Sequence, residues 1–238
     1  MKDKESKTTR DNVNSHYDKQ WSSISEDDAL SRVKNLKSVI DAIISPLTLE
    51  NSNRILDLGT GPAIIPIRLV QTQNYDIDIY GMDISNAALY LGKKVLKRCH
   101  IKTVSLLIGD CENIPFSEGT FDAVVSNATF NLLIDKQKGI SDMARVVKIG
   151  GFVVIGDCIT KENKCVNDQD SKLWSQCVAG APTKKEILVL AHKVGLKNTG
   201  IFNLTQIVME LVTSGLWNWQ EFIEHDLEYH VFSFKKEP

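Results

Sequence analysis

The chain has 238 residues and a formal net charge of −2 at pH 7, from 28 lysines and arginines against 30 aspartates and glutamates, so it carries no global attraction for nucleic acid or an anionic membrane surface. A hydrophobic fraction of 42% is enough for one sizeable α/β core, yet no run approaches the roughly 20 apolar residues of a membrane helix. The charged start MKDKESKTTRDN has no apolar signal core and the five cysteines include no C-x-x-C pair, so a reduced, cytoplasmic protein without a disulfide framework or a metal site is expected.

Residues 1–12 are polar and are expected to fray. Aromatics appear at Tyr17 and Trp21, and residues 29–44 have helical spacing, with Leu30, Val33, Leu36, Val39, Ile40 and Ile43 on one stripe. An alternating pattern follows. Residues 54–59 read as a buried strand, 62–71 as a helix, 77–83 as a strand, and 86–98 as a helix opened by Ser85 as N-cap. Residues 104–110 and 121–127 are two further strands, 136–147 a helix, and 152–157 a strand after the break at Gly150-Gly151. Thr183 caps a helix that Gly195 stops. Residues 200–206 and 228–235 are the last strands, with an apolar, helical segment over 207–222 between them. Strands alternating with helices imply a parallel sheet covered on both faces, with ligands bound at the carboxyl ends of the strands.

The strongest local signal is Asp57-Leu58-Gly59-Thr60-Gly61-Pro62-Ala63 after an apolar strand. Two glycines let the backbone turn tightly and come close to a ligand, and the next helix presents free N–H groups. Asp83 closes the following strand, where a carboxylate can accept both hydroxyls of a ribose. Asp110, in Gly109-Asp110-Cys111-Glu112, closes the third and can accept from an adenine amino group. Each feature has a structural explanation of its own, a tight turn or a strand-end cap. Taken in order they describe a nucleoside site. A dinucleotide fingerprint would want a small residue where Ile64 stands, and the turn has no P-loop lysine.

This ordered set, with Ile114-Pro115-Phe116, then Phe121 to Asn127 and Gly150-Gly151-Phe152, resembles the class I S-adenosylmethionine (SAM) dependent methyltransferases over roughly residues 54–157. The resemblance implies an α/β, Rossmann-like fold: a seven-stranded, mostly parallel sheet, helices on both faces, and an N-terminal helical lid over residues 1–45. Residues 46–238 would be the SAM-binding domain, with a lid insertion near 158–182. It implies SAM as cofactor and S-adenosylhomocysteine (SAH) as product. Gly59, Thr60 and Gly61 would pass under the methionine part and Asp57 would help hold its ammonium. Asp83 would take the ribose hydroxyls, Ile84 would pack on the adenine, Asp110 and Cys111 would flank its edge, and Asn127 would sit near the acceptor. Tyr17 would close over the ligand. Ala63 departs from the family, many of whose members have a third glycine there.

Within that class the chain looks most like arsenite methyltransferases and quinone C-methyltransferases. Ser126-Asn127-Ala128 resembles a Ser-Asn-Cys segment and Cys177-Val178-Ala179-Gly180-Ala181 a Cys-x-x-Gly-Ala segment of the arsenite enzymes. Ala128 stands where one of their cysteines would, and one thiolate at Cys177 cannot chelate As(III); Cys158 and Cys165 in the following insertion could substitute, but nothing in their spacing requires it, so poor or no arsenite methylation is expected. The sequence leaves the catalytic residues open. His16, Asp157 and Cys177 are polar candidates near the pocket mouth. The expected partner is a small-molecule substrate, with no nucleic acid and no membrane, for a monomer or homodimer. A nucleic-acid methyltransferase, a non-catalytic SAM-binding protein and a nicotinamide reductase are the alternatives.

Overall fold

A computed structural model describes residues 2–50, 53–72, 76–161 and 171–238. Its strands are β1 (Arg54–Leu58), β2 (Asp78–Asp83), β3 (Val104–Ile108), β4 (Phe121–Asn127), β5 (Val147–Ile159), β6 (Leu196–Asn203) and β7 (Glu228–Lys236). They form one seven-stranded sheet in the order β3-β2-β1-β4-β5-β7-β6. β1 to β5 are parallel, whereas β7 runs antiparallel to both β5 and β6. The order reverses between β1 and β4. The connections leaving their carboxyl ends therefore part to opposite sides and open a crevice. Leu58 pairs with Met82 on one side and Ser126 on the other, which sets the ends of β1, β2 and β4 side by side at its mouth.

The helices are α1 (Lys2–Ser22), α2 (Glu26–Asn35), α3 (Lys37–Ile44), α4 (Ile64–Thr72), α5 (Asn86–Arg98), α6 (Lys136–Val146), α7 (Ser171–Ser175), α8 (Lys184–Lys193), α9 (Thr205–Thr213) and α10 (Gln220–Glu224). The two-residue period of the strands divides them between two cores. Ile55, Val125 and Val154 face α3, α4 and α9 through Ile40, Ile43, Leu69 and Val208. Their neighbours Leu56, Val124 and Val153 face α6 and α8 through Ile140, Met143, Ile187 and Ala191. A third cluster joins Trp21 of α1 and Ala29 and Val33 of α2 to Ala88, Leu91 and Val95 of α5. No helix among the described residues is long and apolar enough to cross a membrane.

Several boundaries differ from the sequence expectations, each for a physical reason. The polar N-terminus does not fray: α1 is continuous from Lys2, held at its far end by Val13 and Trp21, both buried. The helix expected over 29–44 breaks at Leu36 (φ −91°, ψ 12°). Ala29 and Val33 belong to the third cluster while Val39, Ile40 and Ile43 belong to the first, and one straight stripe cannot serve both. β5 opens at Val147, running through the glycine pair expected to break it. β6 starts at Leu196 because Gly195 (φ +74°) turns the chain straight out of α8. It ends at Asn203, whose side chain accepts the Thr205 N–H (2.9 Å) that opens α9. The apolar segment 207–222 is two short helices, parted at Gly215 (φ +74°).

Candidate functional site

The crevice holds a cavity of about 890 Å³, near the upper end for small-ligand pockets. Gly59, Thr60, Gly61, Asp83, Ile84, Asp110, Cys111 and Asn127 all line it, and α1 closes it from above with Tyr17 and Trp21.

The turn after β1 owes its shape to a run of left-handed residues: Gly59 (φ +69°), Gly61 (φ +54°) and Ala63 (φ +64°). The N–H groups of Gly59 and Thr60 both donate to the Met82 carbonyl (2.8 and 3.1 Å), which locks the turn to the end of β2. A Cβ on Gly59 would lie 2.0 Å from Thr129 Oγ1, so only glycine fits there. A Cβ on Gly61 would meet the ring of Trp21 at 3.4 Å, making α1 the first neighbour of that position. Ala63 adopts the left-handed conformation that glycine favours, at a cost of about 1–2 kcal/mol.

Asp57 is buried, and neither carboxylate oxygen has a hydrogen-bond partner among the described residues. Burial pushes its pKa up to about 8, the neighbouring Thr60 side chain opposes the shift and Asp83 adds to it. In the folded chain Asp57 therefore holds a proton that an unfolded aspartate loses near pH 4. Folding stability from this group is fully present below pH 4 and falls away as the pH rises towards 8. Asp57→Asn has no such titration. It is expected to be more stable than the parent at pH 8, by up to about 5 kcal/mol, with the difference vanishing near pH 4. Denaturant titrations across that range measure it, and parallel curves would show that Asp57 is ionised in the fold.

Asp83 is fixed by the backbone around it. Its Oδ2 accepts from Gly61 N–H (2.8 Å) and its Oδ1 from Ser85 N–H (2.9 Å). Burial raises its pKa, opposed by these hydrogen bonds. Ser85 caps α5 as its sequence suggested, accepting from Ala88 N–H (3.1 Å). Its own hydroxyl donates to Asp18 of α1 (2.6 Å). At the end of β3, Asp110 pairs with Arg10 of α1 (3.1 Å). The same guanidinium reaches Glu112 (2.8 Å), whose other oxygen accepts from Ile134 N–H (2.7 Å). Burial raises the Cys111 thiol well above its usual range, so it stays a neutral wall. Arg10 and Glu112 were missed in the sequence. Glu112 stood beside Asp110 in a legible motif, but Arg10 lay in the stretch read as frayed.

At the other end of the cavity, Asn127 Oδ1 accepts the hydroxyl of Tyr229 from β7. The Tyr17 hydroxyl lies 3.8 Å from Cys177 Sγ, and burial raises the pKa of both groups. His16 lines the cavity beside Tyr17. Asp157 does not line it. Its carboxylate is buried below, accepting from Asn131 N–H (3.0 Å) and Cys158 N–H (2.8 Å), which makes it a backbone anchor. Cys158 is turned away too, its thiol donating to the Cys177 carbonyl (3.0 Å), and Cys165 lies outside the described residues.

Residues 49–211 match the family described as "Methyltransferase domain". The chain belongs to this methyltransferase domain family. A ubiquinone/menaquinone biosynthesis C-methyltransferase of Geobacter sp. (strain M21) is 31% identical over 113 residues, covering 47% of this chain and 48% of that protein. The arsenite methyltransferase of Rattus norvegicus is 30% identical over 181 residues, covering 68% and 49%. This methyltransferase domain thus spans about half the length of these curated relatives. In fold it is similar to a Haemonchus contortus phosphoethanolamine N-methyltransferase 2 solved with S-adenosyl-L-methionine, at a TM-score of 0.74 and 16% identity over 90% of this chain and 58% of that one.

Proposed function

We propose that this chain binds SAM in the crevice between β1 and β4 and moves its methyl group to a small-molecule acceptor. The observation that carries this reading is the buried, partnerless carboxylate of Asp57 beside the glycine turn, in line with Asp83 and Asp110. An α-ammonium group answers Asp57, a ribose diol answers Asp83, and an adenine edge fits between Ile84, Asp110 and Cys111. Bound SAM supplies a sulfonium-activated methyl group, so the chain's own task is to orient the acceptor and exclude water. Asp57, neutral in the empty fold, gives up its proton when an ammonium docks. Calorimetry with SAH in buffers of differing ionisation enthalpy tests the reading. Binding with proton release at pH 7 is expected, and binding of NADH in place of SAM and SAH would sink it.

Residues 1–45 serve as the lid in this reading, with a second contribution from the described part of the 158–182 insertion. Arg10 and Asp18 are its two latches, one at Asp110 and Glu112, the other at the start of α5. Amide exchange around Tyr17 is expected to slow several-fold on adding SAH and to quicken in Arg10→Ala, whether or not ligand is present. Equal exchange in every state would leave α1 a fixed part of the fold. Arsenite remains a poor acceptor, since Cys177 has neither Cys158 nor a cysteine at position 128 turned to join it. The balanced charge favours an acceptor other than nucleic acid.

A further inference from the structure

The cavity wall farthest from the acids of β2 and β3 has a chemistry of its own. Trp217 and Trp219 stand with ring centroids 5.0 Å apart and planes tilted by 30°. The Trp219 indole N–H donates to the Gln176 carbonyl (2.9 Å), so it is not available to a ligand. The Gln176 side-chain N–H donates to Glu221 Oε1, which fixes the amide's orientation: reversed, its oxygen would face a carboxylate. Gln176 Oε1 is consequently left buried without a partner, while Glu221 itself is half-buried at the cavity edge. The wall thus offers one unanswered acceptor, a half-buried carboxylate and electron-rich rings. A group rich in N–H donors and carrying positive charge answers all three.

His16 lines the same cavity from α1, its ring nitrogens unengaged among the described residues. Burial lowers its pKa, the Glu221 carboxylate opposes that shift and Lys19 adds to it, which favours the neutral ring. Arg32 also lines the cavity; it has no ion pair among the described residues and lies over the Trp21 ring, 5.1 Å from its centroid.

We propose that Gln176, Trp217, Trp219 and Glu221 form a subsite for a protonatable amine, that the methyl acceptor is a small organic amine, and that His16 takes its proton. This rests on the methyl-transfer reading above. The ammonium passes one proton to His16 and regains a lone pair. The nitrogen then bonds to the methyl carbon of the sulfonium donor as the carbon–sulfur bond breaks, its electron pair staying on sulfur as a neutral thioether. The N-methylated ammonium leaves with the positive charge the sulfonium has lost, and His16 returns its proton to solvent.

Binding of phenethylamine, the neutral phenethyl alcohol and the anionic 3-phenylpropanoate is measured on the whole chain, both ligand-free and saturated with SAH. The amine is expected to bind about tenfold more tightly than the other two, and Glu221→Gln to remove that preference while leaving SAH affinity unchanged. His16→Gln is expected to leave amine affinity intact but to flatten the acidic limb of the kcat–pH profile. Failure to bind SAH, with the amine preference retained, counts against the cofactor reading alone. No amine preference, an amine preference that Glu221→Gln leaves in place, or tighter binding of 3-phenylpropanoate that Arg32→Gln abolishes, overturns the amine subsite. An unchanged pH profile in His16→Gln removes His16 from the proposal.

Discussion

Asp83→Ala is expected to weaken binding of SAM and SAH by about 2–4 kcal/mol, the largest loss from any single side chain of the cofactor site. Two effects combine. The ribose hydroxyls would lose charge-assisted hydrogen bonds, and the Gly61 and Ser85 N–H groups lose the carboxylate that now organises them. Disorder in the turn alone would also lower the unfolding free energy of the empty protein, whereas ribose binding would not. Calorimetry on the variant, read beside its thermal stability without ligand, separates the two. Unchanged affinity for both nucleosides would remove Asp83 from the site.

Gly180→Ala is expected to destabilise the fold by about 3 kcal/mol or more, a fall in Tm of roughly 6–12 °C for a chain of this size. A Cβ there would sit 1.9 Å from the backbone oxygen of Asn131 and 3.3 Å from Lys136 Nζ. The Asn131 backbone oxygen cannot yield. Asn131 is fully buried, its side-chain N–H groups donating to the Cys158 and Cys177 carbonyls (2.8 and 3.0 Å), and its own carbonyl accepts from Lys136 (3.2 Å). The control is Gly119→Ala. Gly119 has φ +62° but nothing within 4 Å of its Cβ position, so only the conformational cost of about 1–2 kcal/mol applies. Similar losses in the two variants would mean the close approach at Gly180 is relieved by a backbone shift.

That pair of glycines shows what the sequence makes legible. Gly180 was visible in a Cys-x-x-Gly-Ala segment, but its role is a contact with Asn131, 49 residues earlier, which no local pattern reveals. Features governed by neighbours in sequence were read well. β4 and α5 have the expected bounds, and the Ser85 and Thr183 caps are in place. The acids ending β2 and β3 and the glycine turn do line one cavity, because strands alternating with helices run parallel and bring their carboxyl ends to the same edge of the sheet. Features governed by distant partners were not. α1 has a polar surface and no strong apolar stripe, and its anchors are Asp18 on Ser85 and Arg10 on Asp110. Asp157, read from the sequence as a strand-end acid like Asp83, lies inside β5, two residues before Ile159, and accepts from the backbone of Asn131 rather than lining the cavity. Residue type is the same for both, but β2 stops at Asp83 whereas β5 runs on past Asp157.

The place of β7 between β5 and β6 bears on how the chain is made. During synthesis β6 emerges before the strand that must join it to the sheet, so for an interval β5 ends in an open edge and β6 has nowhere to dock. The first five strands, all parallel, can close around their own helices in that time, and the nucleoside half of the molecule would be assembled while the last quarter is still on the ribosome. An unpaired strand is a hazard in that interval. Here β6 opens with Lys197, Asn198 and Thr199, all exposed, and carries an irregularity between Asn198 and Gly200. A charge and a kink of this kind discourage pairing with another nascent chain, and leave β6 to wait for its own partner.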